Sequence, residues 1–169
     1  MKKIFFLLLL NSLVLAVSAQ DTEITVESNT GMKIIKGFFT QKDIVSDPSF
    51  YWYEPNRTGY APQQSVVHAM KAQKDSVHYM VFGGTWCSDT QNILPKFFAL
   101  TDAAGIAPAH ITLIGVDRSK KTIHHLTEAF NVTRVPTIIV MKNGIETGRV
   151  VEHGKYGMFD KELGEVLGQ

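Results

Sequence analysis

Tyr79 to Pro95 reads Tyr-Met-Val-Phe-Gly-Gly-Thr-Trp-Cys-Ser-Asp-Thr-Gln-Asn-Ile-Leu-Pro, and this stretch organises the chain. Tyr79 to Phe82 is an apolar run long enough for a buried strand. Gly83 and Gly84 follow, then Thr85, Trp86 and Cys87, the single cysteine of the 169 residues. Ser88, Asp89 and Thr90 are residue types that favour helix starts. Ile93, Leu94, Phe97, Leu100 and Ala104 then recur at helical spacing. The reading is strand, tight turn, helix, with Cys87 at the turn.

That position has chemical meaning. The first turn of a helix carries unpaired N–H groups and the positive end of the peptide dipole. A thiol placed there is drawn toward thiolate, the form that attacks disulfides. Asp89, two residues on, works the other way through like charge, unless its carboxylate serves as the helix cap. The helix end contributes about 0.3–1 kcal/mol, which a close carboxylate can cancel. The alternative for Cys87 is a small apolar residue at the edge of a core.

Trp86-Cys87-Ser88-Asp89-Thr90 resembles the active-site turn of the thioredoxin superfamily, Trp-Cys-x-x-Cys, with Thr90 at the second cysteine. Pro95 corresponds to the proline of that family's active-site helix. Val135-Pro136-Thr137 resembles its cis-proline loop, and Met141-Lys142-Asn143-Gly144 the hairpin turn that follows. The resemblance runs from Gln64 to Leu167 in the expected order. The turn is closest to that of exported thioredoxin-like proteins from Bacteroidetes-type bacteria, which carry Gly-Thr-Trp-Cys-x-Asp-Thr. The resemblance implies an α/β thioredoxin-like fold, a central mixed sheet flanked by helices. It implies that Val135 offers its backbone to an extended substrate, that Pro136 shapes the groove beside Cys87, and that Trp86 flanks it. Ser88, Asp89 and Thr90 would tune the thiol. Two departures matter. Thr90 has no sulfur with which to resolve a mixed disulfide, so only monothiol chemistry remains. Val81 stands where thioredoxins carry a buried acid. A peroxidase of the superfamily would need a threonine where this chain has Gly84.

Several other chemistries are disfavoured. His124 and His125 are adjacent, so on a helix they point about 100° apart and chelate poorly; His68, His78, His110 and His153 are scattered. No metal or other cofactor is called for. Gly83 and Gly84 are not followed by the Lys-Ser/Thr of a phosphate loop and are read as turn residues. No close catalytic pair of carboxylates appears. Formal net charge is +1, so no basic field calls for nucleic acid or an anionic membrane.

At the start, Lys2 and Lys3 precede the apolar run Ile4 to Leu10, and Val17-Ser18-Ala19 is a small-residue cleavage pattern. Residues 1–19 read as a secretory signal peptide; the run is too short to favour a stable membrane span. Of the 17 Lys and Arg residues, Lys2 and Lys3 fall in that segment, leaving 15 against 16 Asp and Glu. The expected location is the periplasm. There an unpaired cysteine is a free thiol, a catalytic thiol, or a link to a second copy in a disulfide-bonded homodimer.

Residues 20–60 read as an N-terminal extension and 61–169 as the thioredoxin-like domain. Glu23–Val26 and Met32–Phe39 are candidate strands. The segment from Asp47 to Tyr60, dense in aromatics and turn formers, is expected to form an ordered loop or short helix packed on the domain, with a ligand or partner surface as the alternative. The sequons at Asn56 and Asn131 are read as chance. Pro62 is expected to start a helix whose apolar face is Val66, Val67 and Met70. Strands follow at Ile111–Val116, Thr137–Met141 and Gly148–Glu152, the last two joined by a turn at Asn143-Gly144. Helices are expected at Thr122–Phe130, with Ile123, Leu126, Ala129 and Phe130 inward, and at Phe159–Leu167. Alternating strands and helices argue for an α/β layer architecture. Three functional readings follow: monothiol exchange with thiol- or disulfide-containing proteins, a redox-inactive module for binding a protein or peptide, and covalent dimerisation through Cys87.

Overall fold

The computed structural model describes residues 22–168, so the segment read as a signal peptide lies outside the described residues. The centre is β3 (Val77–Gly83), which β4 (Ile111–Gly115) joins in parallel and β5 (Thr137–Lys142) in antiparallel fashion. The sheet widens with β1 (Thr22–Val26), β2 (Lys33–Phe39) and β6 (Ile145–Val151), giving the order β1-β2-β4-β3-β5-β6. Val81 faces Leu113 on one side and Ile138 on the other.

Period-two alternation divides β3 between two cores. Tyr79 and Val81 enter the larger one, with Met70, Phe97, Leu100 and Leu163 from three helices. These are α3 (Gln64–Ala72), α4 (Ser88–Ala104) and α6 (Phe159–Leu167). Phe82 enters the smaller core on the opposite face with Ile114, Val116, Val132, Val135 and Ile139. Trp86 and Cys87 pack against the margin of this second core. The sheet is therefore covered on both faces, and the site lies at the carboxyl end of its central strand. This is the α/β thioredoxin-like fold, a mixed sheet with helices.

Residues 22–58 share this architecture. β2 lies antiparallel to β4. α1 (Gln41–Val45) starts with a reciprocal cap between Thr40 and Asp43, the capping-box arrangement. A 3-10 turn at Pro48–Phe50 leads to α2 (Tyr53–Thr58). Phe50, Trp52 and Tyr53 are buried in the larger core, and Tyr53 reaches Phe98 of α4 with ring centroids 6.4 Å apart. The packed reading of the aromatic run holds for these three rings; Tyr51 is 83% exposed.

Three expectations about elements change. Pro62 precedes its helix rather than opening it, because Gln63 is the extended cap whose carbonyl accepts from Val66 and Val67. The segment from Thr122 to Phe130 is broken: His124 and His125 both adopt left-handed backbone, leaving α5 at Leu126–Ala129. Ala129 is consequently exposed and Thr127 is the buried residue. The final strand starts at Ile145, directly after the Asn143-Gly144 turn, and ends before Glu152, whose φ of 54° is left-handed.

Candidate functional site

Cys87 is the N-cap of α4, in extended conformation, and no side chain caps the helix there. Its N–H donates to the Gly84 carbonyl at 2.8 Å, and its carbonyl accepts from Gln91 N–H at 2.9 Å. The thiol is partly exposed and Sγ donates to the Val135 carbonyl at 3.3 Å. The Val135–Pro136 peptide bond is cis. The fold thus brings Cys87, Val135 and Pro136 together across 48 residues of sequence.

Thr90 points inward and is 1% exposed. Its Oγ1 accepts from Gly84 N–H at 3.2 Å, and its methyl lies where a side chain on Gly83 would fall, 2.9 Å from an ideal Cβ. A Cβ on Gly84 would lie 2.7 Å from the Trp86 indole. The two glycines are therefore required by close packing of Thr90 and Trp86, and neither has a positive φ. The turn reading explains them less well than this crowding does.

Trp86 is fixed from two sides. Its Nε1–H donates to the Val116 carbonyl at 3.0 Å, and the Arg118 guanidinium lies 5.3 Å from the ring centroid, within cation–π range. Arg118 is in turn held by Glu27, with Nη2 to Oε2 at 2.9 Å. The hydrogen bonds from Arg118, then from Thr30, draw the Glu27 carboxyl down to about 2.

Thr85 secures the loop from behind. It is 1% exposed; its Oγ1 donates to the Lys33 carbonyl at 2.9 Å and accepts from Ile35 N–H at 3.2 Å. Gln91 adds Nε2–H to the Thr85 carbonyl at 2.8 Å. The cysteine turn is thus anchored to β2, in the segment least legible from the sequence.

Ser88 opens α4 and is exposed. Asp89 does not cap the helix: its Oδ1 meets His153 Nε2 at 3.1 Å, from the loop between β6 and α6. That loop is tied to the proline as well, since Glu152 N–H donates to the Pro136 carbonyl at 2.7 Å. Thr85, Gln91, Glu27, Arg118 and His153 were not singled out from the sequence. Thr85 lies within the Gly-Thr-Trp-Cys turn and Gln91 bonds it six residues on, but no local motif marks Glu27, Arg118 or His153, whose partners come from distant positions. Among the described residues, no three His, Cys, Asp or Glu side chains gather as a metal site needs.

The geometry can support nucleophilic chemistry at one partly exposed sulfur beside the backbone of the cis-proline loop. A second sulfur in the turn is excluded by Thr90. A thioredoxin of Echinococcus granulosus is 32% identical over 77 residues, 46% of this chain and 66% of that thioredoxin. The match therefore spans just under two thirds of that relative's length. A Pseudomonas aeruginosa protein of unknown function superposes with a TM-score of 0.46 at 16% identity, covering 75% of this chain and 81% of its own. Thioredoxin O2 of Arabidopsis thaliana in its oxidized state gives a TM-score of 0.35 at 20% identity, over 52% and 71%. The thioredoxin family model matches residues 63–163, a span that holds both the Cys87 turn and the Pro136 loop; with more than half of its length matched, the chain belongs to the thioredoxin family.

Proposed function

We propose that this protein exchanges disulfides through a single thiol, Cys87, with proteins that carry a thiol or a disulfide. The observation that carries this reading is the Cys87 sulfur at the cap of α4, 3.3 Å from the Val135 carbonyl and next to Pro136. The thiolate attacks one sulfur of a substrate disulfide. The substrate S–S bond breaks, a mixed disulfide with Cys87 forms, and the other substrate sulfur leaves as thiolate. Loss of the thiol proton also frees the Val135 carbonyl to accept an N–H from the substrate chain. Because Thr90 cannot resolve the mixed disulfide, a second thiol does so. A thiol of the same substrate gives isomerisation with no net redox change; two equivalents of a small external thiol give reduction of the substrate, the two leaving as their own disulfide.

The burial of Thr90 in place of a second sulfur supports one other reading, a redox-inactive module that keeps the groove for a protein or peptide. Isomerisation of a scrambled disulfide-bonded protein, in the presence of a small thiol, separates the two. The expected result is acceleration by wild type and none by Cys87→Ser, with binding retained. Equal activity of both proteins would overturn the exchange reading. Non-reducing electrophoresis of the same samples reads whether Cys87 links two copies.

On this reading the chain is exported and works in the periplasm, like the Bacteroidetes-type group whose turn it resembles. The support is Lys2-Lys3, the apolar run from Ile4 and the small residues ending at Ala19. N-terminal sequencing of protein recovered from cells tests it, with Gln20 the expected first residue.

A further inference from the structure

His153 closes a ring of contacts around the thiol. Cys87 Sγ meets the Val135 carbonyl. The next residue, Pro136, accepts from Glu152 N–H. The following side chain, His153, reaches Asp89 Oδ1 at 3.1 Å, and Asp89 returns to Cys87 through the first turn of α4. Backbone shape aims the imidazole: His153 sits between Glu152 and Gly154, with φ of 54° and 74°. Gly154, at a φ of 74°, takes a backbone path that side-chain-bearing residues rarely adopt.

Asp89 is the acidic residue in the first turn of α4, where its charge opposes a thiolate at the cap. The groove beside it, about 410 Å³, is lined by other charges, and these have their own partners. Arg134 pairs with Glu152 at 3.0 Å, Arg149 with Glu146 at 2.6 Å and Lys155 with Glu165 at 2.9 Å. Glu162 accepts Lys155 N–H at 2.6 Å. The group that meets the Asp89 carboxylate is His153. We infer that His153 is a positioning residue for Cys87: its imidazole holds Asp89 and, when protonated, neutralises the carboxylate that would otherwise oppose the attacking thiolate.

This inference rests on the exchange reading, and its test reads Cys87 directly. The rate of alkylation of Cys87 by iodoacetamide is measured from pH 5 to 9 in wild type, His153→Gln, His153→Lys, Asp89→Asn and the double variant. An imidazole loses its charge within this range. With an imidazole facing Asp89, the wild-type plot of log rate against pH should therefore bend to a slope below one. His153→Gln should show the ordinary unit slope and a rate lower by about two- to fivefold at pH 6, the size of an exposed ion pair. His153→Lys, a permanent cation, should restore the acid-side rate. In the Asp89→Asn background, which removes the carboxylate that favours the imidazolium, His153→Gln should have a smaller effect than it has beside Asp89. Superimposable profiles for wild type and His153→Gln would overturn the inference, as would an equal effect of His153→Gln with and without Asp89. Disulfide isomerisation by wild type, run alongside, keeps the two claims apart. Active wild type with an unmoved profile removes only the role of His153; inactive wild type with the expected profiles removes only the exchange reading.

Discussion

Thr90 decides which chemistry Cys87 can perform. It occupies the inner side of the α4 first turn, fully buried, with its hydroxyl accepting from Gly84 N–H and its methyl filling the space above Gly83. Residues three apart on a helix are neighbours, at a spacing compatible with a disulfide. Thr90→Cys should therefore let the two sulfurs pair under a mild oxidant, removing both from alkylation, which intact-mass measurement after maleimide treatment detects. The reduced variant should be less stable by about 0.5–1.5 kcal/mol, because sulfur is a weaker acceptor for the Gly84 N–H. The oxidised form should gain disulfide reductase activity against insulin. Two sulfurs that stay alkylatable after oxidation would contradict the inward placement of Thr90. This much of the site was legible because Trp86, Cys87 and Thr90 are contiguous, and helix periodicity alone puts positions 87 and 90 side by side. Asp89 was legible as a charge near the thiol, but its partner was not. His153 lies 64 residues away, and only the register of β5 against β6 brings it near.

Among the elements, β3 and α4 were readable for the same reason: an apolar run, capping residue types and helical spacing fall in one continuous stretch. The segment after Thr122 was not. Its breaking residues, His124 and His125, take left-handed backbone, which histidine visits more often than most residues but still uncommonly, so the pair is only a weak signal against a continuous helix. The first half of β6 was missed because its outward-facing residues are all exposed, leaving no apolar alternation to follow. The β1–β2 turn was legible as two strands but not as a support for the site. Glu27, just beyond β1, holds Arg118, which lies over Trp86. The Glu27 carboxyl is lowered to about 2 in the fold by Arg118 and Thr30. Its contribution to stability is therefore complete above the unfolded value of about 4.3 and is lost as pH falls from there through 2. Glu27→Gln should lower the melting temperature by about one to three degrees at pH 6. That difference should narrow from about pH 4 downward, close only below pH 2, and shrink in high salt. Because Arg118 would lose its anchor, the Trp86 emission should shift in the variant at pH 6, measured in a Trp52→Phe background. An emission spectrum unchanged by Glu27→Gln would mean that Val116 alone holds the indole.

At the scale of the whole molecule, distant segments meet through tyrosines. Tyr60, just before α3, donates its hydroxyl to Asp160 Oδ2 at 2.6 Å, and Asp160, in the first turn of α6, is 5% exposed. Tyr79 lies at the middle of β3, fully buried, edge-on to Phe97 of α4 with centroids 5.6 Å apart. Burial raises the pKa of both phenols, and the Asp160 carboxylate raises that of Tyr60 further. The sign of the consequence follows from linkage. A phenol whose folded pKa lies above its unfolded value of about 10 contributes fully to stability below that pH, and the contribution is lost as pH rises beyond it. Each pH unit above 10 removes about 1.4 kcal/mol through Tyr79. Tyr60 adds a smaller share because its ring is only half-buried and water screens the charge. Against a net stability of about 5–15 kcal/mol, a few such units suffice to unfold the domain. The tyrosinate absorbance of Tyr60 and Tyr79 should therefore appear together with the loss of far-ultraviolet ellipticity, not before it. Tyr79→Phe, which removes the titrating hydroxyl without removing the ring, should carry the alkaline midpoint to higher pH. Tyr60→Phe should behave differently: it strips Oδ2 of the buried Asp160 of its donor, leaving the Lys161 N–H on Oδ1, and should cost about 1–3 kcal/mol at pH 7. If the absorbance of all five tyrosines rises while ellipticity stays intact, then Tyr79 is reached by solvent in the native state, and the larger core is looser than its packing implies.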